Sequence, residues 1–90
     1  MKSLLFILNP SAGRKHIKSK LFEIVDLFVK DGYSVRVYPT QAKADAIRVV
    51  SEEGHLYDRI VCAGGDGTLD EVVTGCMKCG CTTPIGYIPC

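Results

Sequence analysis

Apolar residues along this chain come in two rhythms, short continuous runs and helically spaced sets, and the two alternate from one end to the other. Leu4-Leu5-Phe6-Ile7-Leu8 follows Ser3 as an unbroken run of strand length. Ile17, Leu21, Ile24, Val25 and Phe28 then recur at helical spacing, and Lys30-Asp31-Gly32-Tyr33 stops that helix, with Gly32 just past its end. Ser34-Val35-Arg36-Val37-Tyr38 alternates and is β-branched, so it predicts a second strand ended by Pro39. A second helix is expected from Ala42 through Glu53, with Ala46, Ile47, Val49 and Val50 apolar and Gly54 as its stop. Arg59 to Ala63 reads as a third strand, about Thr68 to Lys78 as a third helix and Pro84 to Ile88 as a fourth strand.

Strands alternating with helices through short loops predict a three-layer α/β fold, a mostly parallel sheet with helices on both faces. Two of the loops carry chemistry. The first strand is ended by Asn9-Pro10-Ser11-Ala12-Gly13-Arg14-Lys15, where proline bars continuation of the strand and Asn9 and Ser11 can bond their own backbone. The third strand runs into Gly64-Gly65-Asp66-Gly67-Thr68 and then into helical spacing. In open α/β sheets ligands bind beyond the carboxyl ends of strands where the order reverses. If both loops serve one ligand, strands one and three are neighbours, and the expected order is 2-1-3-4.

The second loop reads as a phosphate-handling turn. Missing side chains let a ligand approach the backbone, and the first N–H groups of a helix offer positive potential to an anion. Asp66 places a carboxylate inside that turn, where it can hold a metal ion, orient a hydroxyl or accept a proton. Alanine at Gly65 or Gly67 is expected to weaken phosphate binding, by filling the approach or by penalising a positive φ. Thr68 reads as a helix cap, and Thr40, after Pro39, as a cap or a ligand contact. A P-loop is excluded because no G-x-x-x-x-G-K-[ST] occurs, and a dinucleotide fingerprint fails at Asp70, which stands where the third glycine belongs. Arg14, Lys15 and Lys18 lie close to the first turn in sequence.

Composition narrows the field. The chain has 90 residues, 47% hydrophobic, with a formal charge of +1 from interspersed acids and bases, which fits one packed domain or part of one. No basic field speaks for nucleic acid and no basic amphipathic helix for stable membrane anchoring. Leu4 to Leu8 is too short for a signal-peptide core or a membrane span, so a cytoplasmic protein is expected. Cys62 reads as a small core residue. Cys76-x-x-Cys79-x-Cys81 leaves two readings open, a three-thiolate zinc site or free loop thiols.

With both loops in place, the chain resembles the diacylglycerol kinase catalytic-domain family, of the bacterial soluble lipid-kinase type. Asn9-Pro10-x-x-Gly13 matches its first motif, Gly64-Gly65-Asp66-Gly67-Thr68-Leu69-x-Glu71-Val72-Val73 its signature loop, and Pro84-Ile85-Gly86-Tyr87-Ile88-Pro89 the start of its third. The resemblance implies ATP-dependent, magnesium-assisted transfer of a phosphoryl group to a lipid hydroxyl, giving phosphatidate from diacylglycerol. It implies nucleotide contacts from Asn9, Pro10, Ser11, Ala12, Gly13, Thr40, Gly64, Gly65, Asp66, Gly67, Thr68, Leu69 and Asp70, with Asp66 positioning magnesium or a hydroxyl. Asp70 departs from the asparagine common at that position. Sphingosine and ceramide kinases share these motifs, and NAD kinases share the glycine loop. The alternatives are therefore a sphingosine kinase-like or NAD kinase-like enzyme, or an inactive nucleotide-binding module.

The family pattern continues past Cys90, so residues 1–90 are expected to be the N-terminal part of the catalytic domain. The lipid pocket and catalytic base are expected elsewhere, and this part alone is expected to be inactive. Expected partners are ATP and a lipid substrate, with transient membrane-surface contact by the full-length protein and pairing with a second copy through an exposed Pro84 to Ile88 edge.

Overall fold

The computed structural model describes residues 1–10 and 15–89. Ser11, Ala12, Gly13, Arg14 and Cys90 lie outside the described residues, as do the side chains of Lys15, His16 and Lys18. The elements follow in the order β1 (Lys2–Leu8), α1 (Lys15–Lys30), β2 (Tyr33–Pro39), α2 (Asp45–Glu53), a 3-10 turn (Gly54–Leu56), β3 (Arg59–Gly64), α3 (Asp66–Cys79) and β4 (Ile85–Pro89). The strands form one sheet in the order β2-β1-β3-β4, parallel throughout, as the two loops required.

The continuous apolar spelling of the central strands is explained by burial on both faces. Leu4, Leu5, Phe6 and Ile7 are all 0% exposed. Side chains alternate across the pleat, so Leu5 and Ile7 of β1 join Ile60 and Cys62 of β3 on one face. There Ala46, Val49 and Val50 of α2 and Val72 and Cys76 of α3 close the core. Leu4, Phe6 and Leu8 with Val61 and Ala63 face the other side, beneath Ile17 of α1. Phe28 meets Phe6 edge-on at 5.6 Å, and Leu21, Ile24 and Val25 complete the inward stripe of α1. Burial of each such aliphatic or aromatic side chain contributes about 1.5–3 kcal/mol, which makes the β1–β3 pair the centre of stability.

Two helix starts and the role of one glycine differ from expectation. The second helix begins at Asp45 instead of Ala42, because Ala44 has φ +70° and cannot continue a right-handed helix. The third begins at Asp66, two residues before Thr68, because the backbone turns within Gly64 and Gly65; Thr68 is therefore inside the helix and does not cap it. Gly54 does follow the end of α2, but with φ −55° it continues into the 3-10 turn. Its role is space, since a Cβ there would lie 3.1 Å from Val50 and 3.3 Å from the Cys81 sulfur. Gly32, at φ +95°, stops α1 as predicted.

At the far end of α3, Gly80 takes φ +67° and closes a Schellman motif, with the Cys81 N–H on the Cys76 carbonyl at 3.1 Å. The side-chain contact of that motif is a thiol pair, the Cys76 and Cys81 sulfurs standing 3.1 Å apart. The zinc alternative for Cys76, Cys79 and Cys81 finds no support, since no group of three His, Cys, Asp or Glu side chains among the described residues is arranged to hold a metal ion. Among the described residues no helix is long and apolar enough to cross a membrane.

Helices α2 and α3 pack tightly at Gly75, where a Cβ would lie 2.8 Å from the Val50 Cβ and 2.9 Å from the Ile47 carbonyl oxygen. Gly75→Ala should gain about 1 kcal/mol in helix propensity but lose more to overpacking against a backbone atom. The expected net is a loss of about 1–2 kcal/mol by urea denaturation, and a stabilised variant would contradict the contact. A second expectation concerns the thiols. Burial pushes Cys62 up to about 11 and Cys76 up to about 12. Burial also opposes ionisation of Cys81, but hydrogen bonds from the Cys76 thiol and from Thr83 outweigh it and lower its pKa. Iodoacetamide should therefore label Cys81 before Cys76 or Cys62, with mass spectrometry as the readout; prior labelling of either buried thiol would refute this ordering.

Candidate active site: a pocket at the sheet's carboxyl edge

The pairing of β1 carries past its last residue on both sides. The Asn9 N–H donates to the Ala63 carbonyl at 3.1 Å, and the Thr40 N–H donates to the Leu8 carbonyl at 2.9 Å. These two bonds set Asn9 and Thr40 at the carboxyl edge of the sheet, level with the glycine turn after β3. The pocket there encloses about 370 Å³ and is lined by Asn9, Thr40–Lys43, Gly65, Gly67, Thr68 and Glu71. That volume suits a small polar ligand.

The turn is built around one glycine. Gly64 has φ +157°, and a Cβ there would lie 2.5 Å from the Thr68 Oγ1, so Thr68 is buried flat against its backbone. Gly65 is extended, at φ −86° and ψ −175°, and serves as the N-cap of α3. Its carbonyl accepts the N–H groups of Thr68 at 3.1 Å and Leu69 at 3.4 Å, closing the first turn of helix. Neither Gly65 nor Gly67 has a positive φ, so the conformational half of the sequence expectation falls on Gly64 instead. A Cβ on Gly65 or Gly67 would meet no atom beyond its own stretch of backbone within 4 Å, and both residues line the pocket. The N–H groups at the start of α3, those of Asp66 and Gly67 among them, have no carbonyl one turn back within the helix.

Of the residues singled out in the sequence, Asn9, Thr40, Gly65, Gly67 and Thr68 line this pocket. Pro10, Gly64, Asp66, Leu69 and Asp70 do not line it. Leu69 packs against the α2–α3 core, and Asp66 and Asp70 are exposed. The Tyr87 hydroxyl of β4 lies 3.3 Å from both the Asp66 Oδ1 and the Gly64 carbonyl oxygen, which ties the acid and the turn to the outer strand.

Gln41, Ala42, Lys43 and Glu71 also line the pocket, beyond the site residues to which the sequence points. The loop carrying the first three is held by Asp45, whose Oδ2 accepts the Gln41 N–H at 2.8 Å and the Tyr38 hydroxyl at 2.7 Å. Arg48 donates to the Asp45 Oδ1 at 2.8 Å. The Gln41 N–H, then the Tyr38 and Arg48 bonds, hold the Asp45 carboxyl below the ordinary carboxylate range, and the same carboxylate raises the Tyr38 phenol. Lys43 brings a cation to the rim, and only its closeness in sequence to Thr40 signalled this. Glu71 was visible as part of the glycine-loop motif, but its partners lie 27 and 25 residues away on another helix.

The chain matches the diacylglycerol kinase catalytic domain over residues 3–90. It belongs to that family. It is 34% identical over 90 residues to a diacylglycerol kinase of Bacillus subtilis, covering 99% of this chain and 30% of that protein. A diacylglycerol kinase of Staphylococcus carnosus is 36% identical over 92 residues, covering 98% and 29%. The crystal structure of a diacylglycerol kinase from Bacillus anthracis superposes with a TM-score of 0.87 at 27% identity, covering 98% of this chain and 32% of that one. The chain thus spans about 30% of the length of the curated diacylglycerol kinases it matches.

Stability measurements should separate the glycines of this diacylglycerol kinase-family loop. Gly64→Ala should lower stability by about 2 kcal/mol, combining strained backbone with the Thr68 clash. Gly65→Ala and Gly67→Ala should stay within about 0.5 kcal/mol of the parent. Equal losses at all three positions would place the backbone demand elsewhere.

Proposed function

We propose that this chain supplies the ATP-binding part of a lipid kinase that phosphorylates a lipid hydroxyl, with diacylglycerol as the acceptor. The observation that carries the reading is the convergence of Asn9, Thr40, Gly65, Gly67 and Thr68 on one pocket. That pocket lies at the β1–β3 switch point, where open α/β sheets bind ligands. Family membership supports the kinase class, and the names of the relatives support the acceptor. Those relatives favour neither NAD nor sphingosine.

Phosphoryl transfer asks a protein mainly for positioning and for donors aimed where charge spreads. In this reading the phosphates lie over the start of α3, where N–H groups point outward and the helix dipole favours anions. Gly65 and Gly67 leave the approach open, and Lys43 adds a cation at the rim. Asn9 and Thr40 bound the other side of the pocket, held there by the β1 ladder. The exposed Asp66 carboxylate suits a magnesium ion that takes one carboxylate plus phosphate and water oxygens. When bound, that ion would supply neutralisation of the β- and γ-phosphate charge. Asp66 itself, steadied by Tyr87, would orient the ion or a hydroxyl.

The direct test is titration of the purified chain with a fluorescent ATP analogue, followed by radiolabelled phosphate transfer to diacylglycerol micelles by the full-length protein. Gly65→Ala and Gly67→Ala should weaken binding by about tenfold or more, since each Cβ enters the phosphate approach. Asp66→Asn should lower the rate by roughly a hundredfold or more with little change in melting. ATP binding without transfer to any lipid would leave a nucleotide-binding module. Near-normal turnover in Asp66→Asn would reduce that residue to a structural role.

A further inference from the structure

Ala44 is the one residue other than glycine, among those described, with a positive φ, at φ +70° and ψ 1°. A Cβ makes that conformation unfavourable. Ala44 is also the N-cap of α2, where a serine, threonine, aspartate or asparagine oxygen would normally take up an early N–H group. A methyl group cannot do so, and no side chain of the loop itself caps the helix. This segment therefore carries two local deficits, and both are met from another helix.

Glu71 of α3 reaches across to it. Its Oε2 accepts the Ala44 N–H at 3.1 Å and its Oε1 accepts the Ala46 N–H at 3.3 Å. One carboxylate thus fixes the strained residue and caps α2 in place of the missing side chain, with its charge at the positive end of the helix dipole. Glu71 also lines the pocket. The wall of that pocket, Gln41 to Lys43, hangs between two carboxylates. Asp45 holds Gln41 at one end and Glu71 holds Ala44 at the other. An acid facing an anion site would ordinarily oppose binding. Here both of its oxygens accept backbone N–H groups, so its charge is matched within the protein.

We propose that Glu71 is a positioning residue that clamps the left-handed turn at Ala44 and so holds the Gln41–Lys43 wall at its distance from the glycine turn. The inference rests on the reading of the pocket as a nucleotide site. Glu71 itself does not touch the reacting atoms. It acts through the backbone at Ala44 and Ala46.

Glu71→Gln keeps the size of the side chain but can accept only one of the two N–H groups, because its amide nitrogen is a donor. The purified Glu71→Gln chain should bind the fluorescent ATP analogue about tenfold more weakly, and in the full-length protein the loss should fall on the KM for ATP more than on kcat. Ala44→Gly removes the strain that the clamp restrains. It should raise the melting temperature alone, and in the Glu71→Gln background it should restore most of the lost affinity. Equal affinity loss with and without Ala44→Gly, or a loss confined to kcat, overturns the proposal. Amide hydrogen exchange supplies a readout independent of nucleotide. Ala44 and Ala46 should exchange faster in Glu71→Gln than in the parent, and unchanged protection at both overturns the clamp. If the parent chain binds no nucleotide, the reading of the pocket fails, and exchange at these two amides still decides the clamp. Should Glu71→Gln alone fail to fold, the same exchange measurement on Glu71→Gln/Ala44→Gly against Ala44→Gly decides it.

Discussion

Everything in this molecule is referred to the ladder between β1 and β3. Leu4 pairs with Arg59 and Leu8 with Ala63, and the bond from Asn9 to Ala63 adds one more rung. Both strands are buried on both faces, so a shift of register by one residue would turn every core side chain to the wrong layer. Holding that register is what puts Asn9 beside the glycine turn. At the opposite end Asp58 fixes it again, its carboxylate accepting the Ser3 N–H at 2.7 Å while its own N–H reaches the Ser3 carbonyl at 3.0 Å. The pocket is a by-product of where two strands end. Its shape is inherited from packing many residues away.

Fold and topology were legible because they rest on signals that repeat. Continuous apolar strands, helical stripes and two polar turns after strands one and three leave few arrangements, and order 2-1-3-4 satisfies them. The backbone side of the site was legible for a related reason: glycines beside an acid are unusual enough to be noticed. Gly64, however, proved to be the strained member, and only the packing of Thr68 shows why. The role of a glycine depends on what stands opposite it.

What stayed hidden depends on contacts between distant segments. Ala44 spells a helix residue, and nothing in its neighbours announces a left-handed turn, because the stabilising carboxylate comes from α3. Thr68 resembles a cap in sequence, yet the helix starts earlier and its side chain is needed for packing. Gly75 is a helix-weakening residue in the middle of a helix, a local conflict resolved only by the approach of Val50 and Ile47 to its bare backbone. Cys76 and Cys81 are free thiols, one of the two readings their spacing allows, and the contact they make to close a helix terminus has no signal in the sequence. In each case tertiary structure overrode a sound local preference.

The central ladder also has a consequence for how the chain reaches this state. β1 is buried along most of its length and precedes the other three strands in the chain, yet its partner β3 begins at Arg59, after two helices and another strand have been made. Pairings so far apart in sequence form slowly, since much chain must be ordered before they repay it. Until β3 arrives, Leu4 to Leu8 can meet only β2, and one edge of the most apolar segment stays open. That interval is when an unpaired apolar strand is most exposed to intermolecular association. The feature that makes the finished protein stable is thus also the one that leaves the nascent chain most vulnerable.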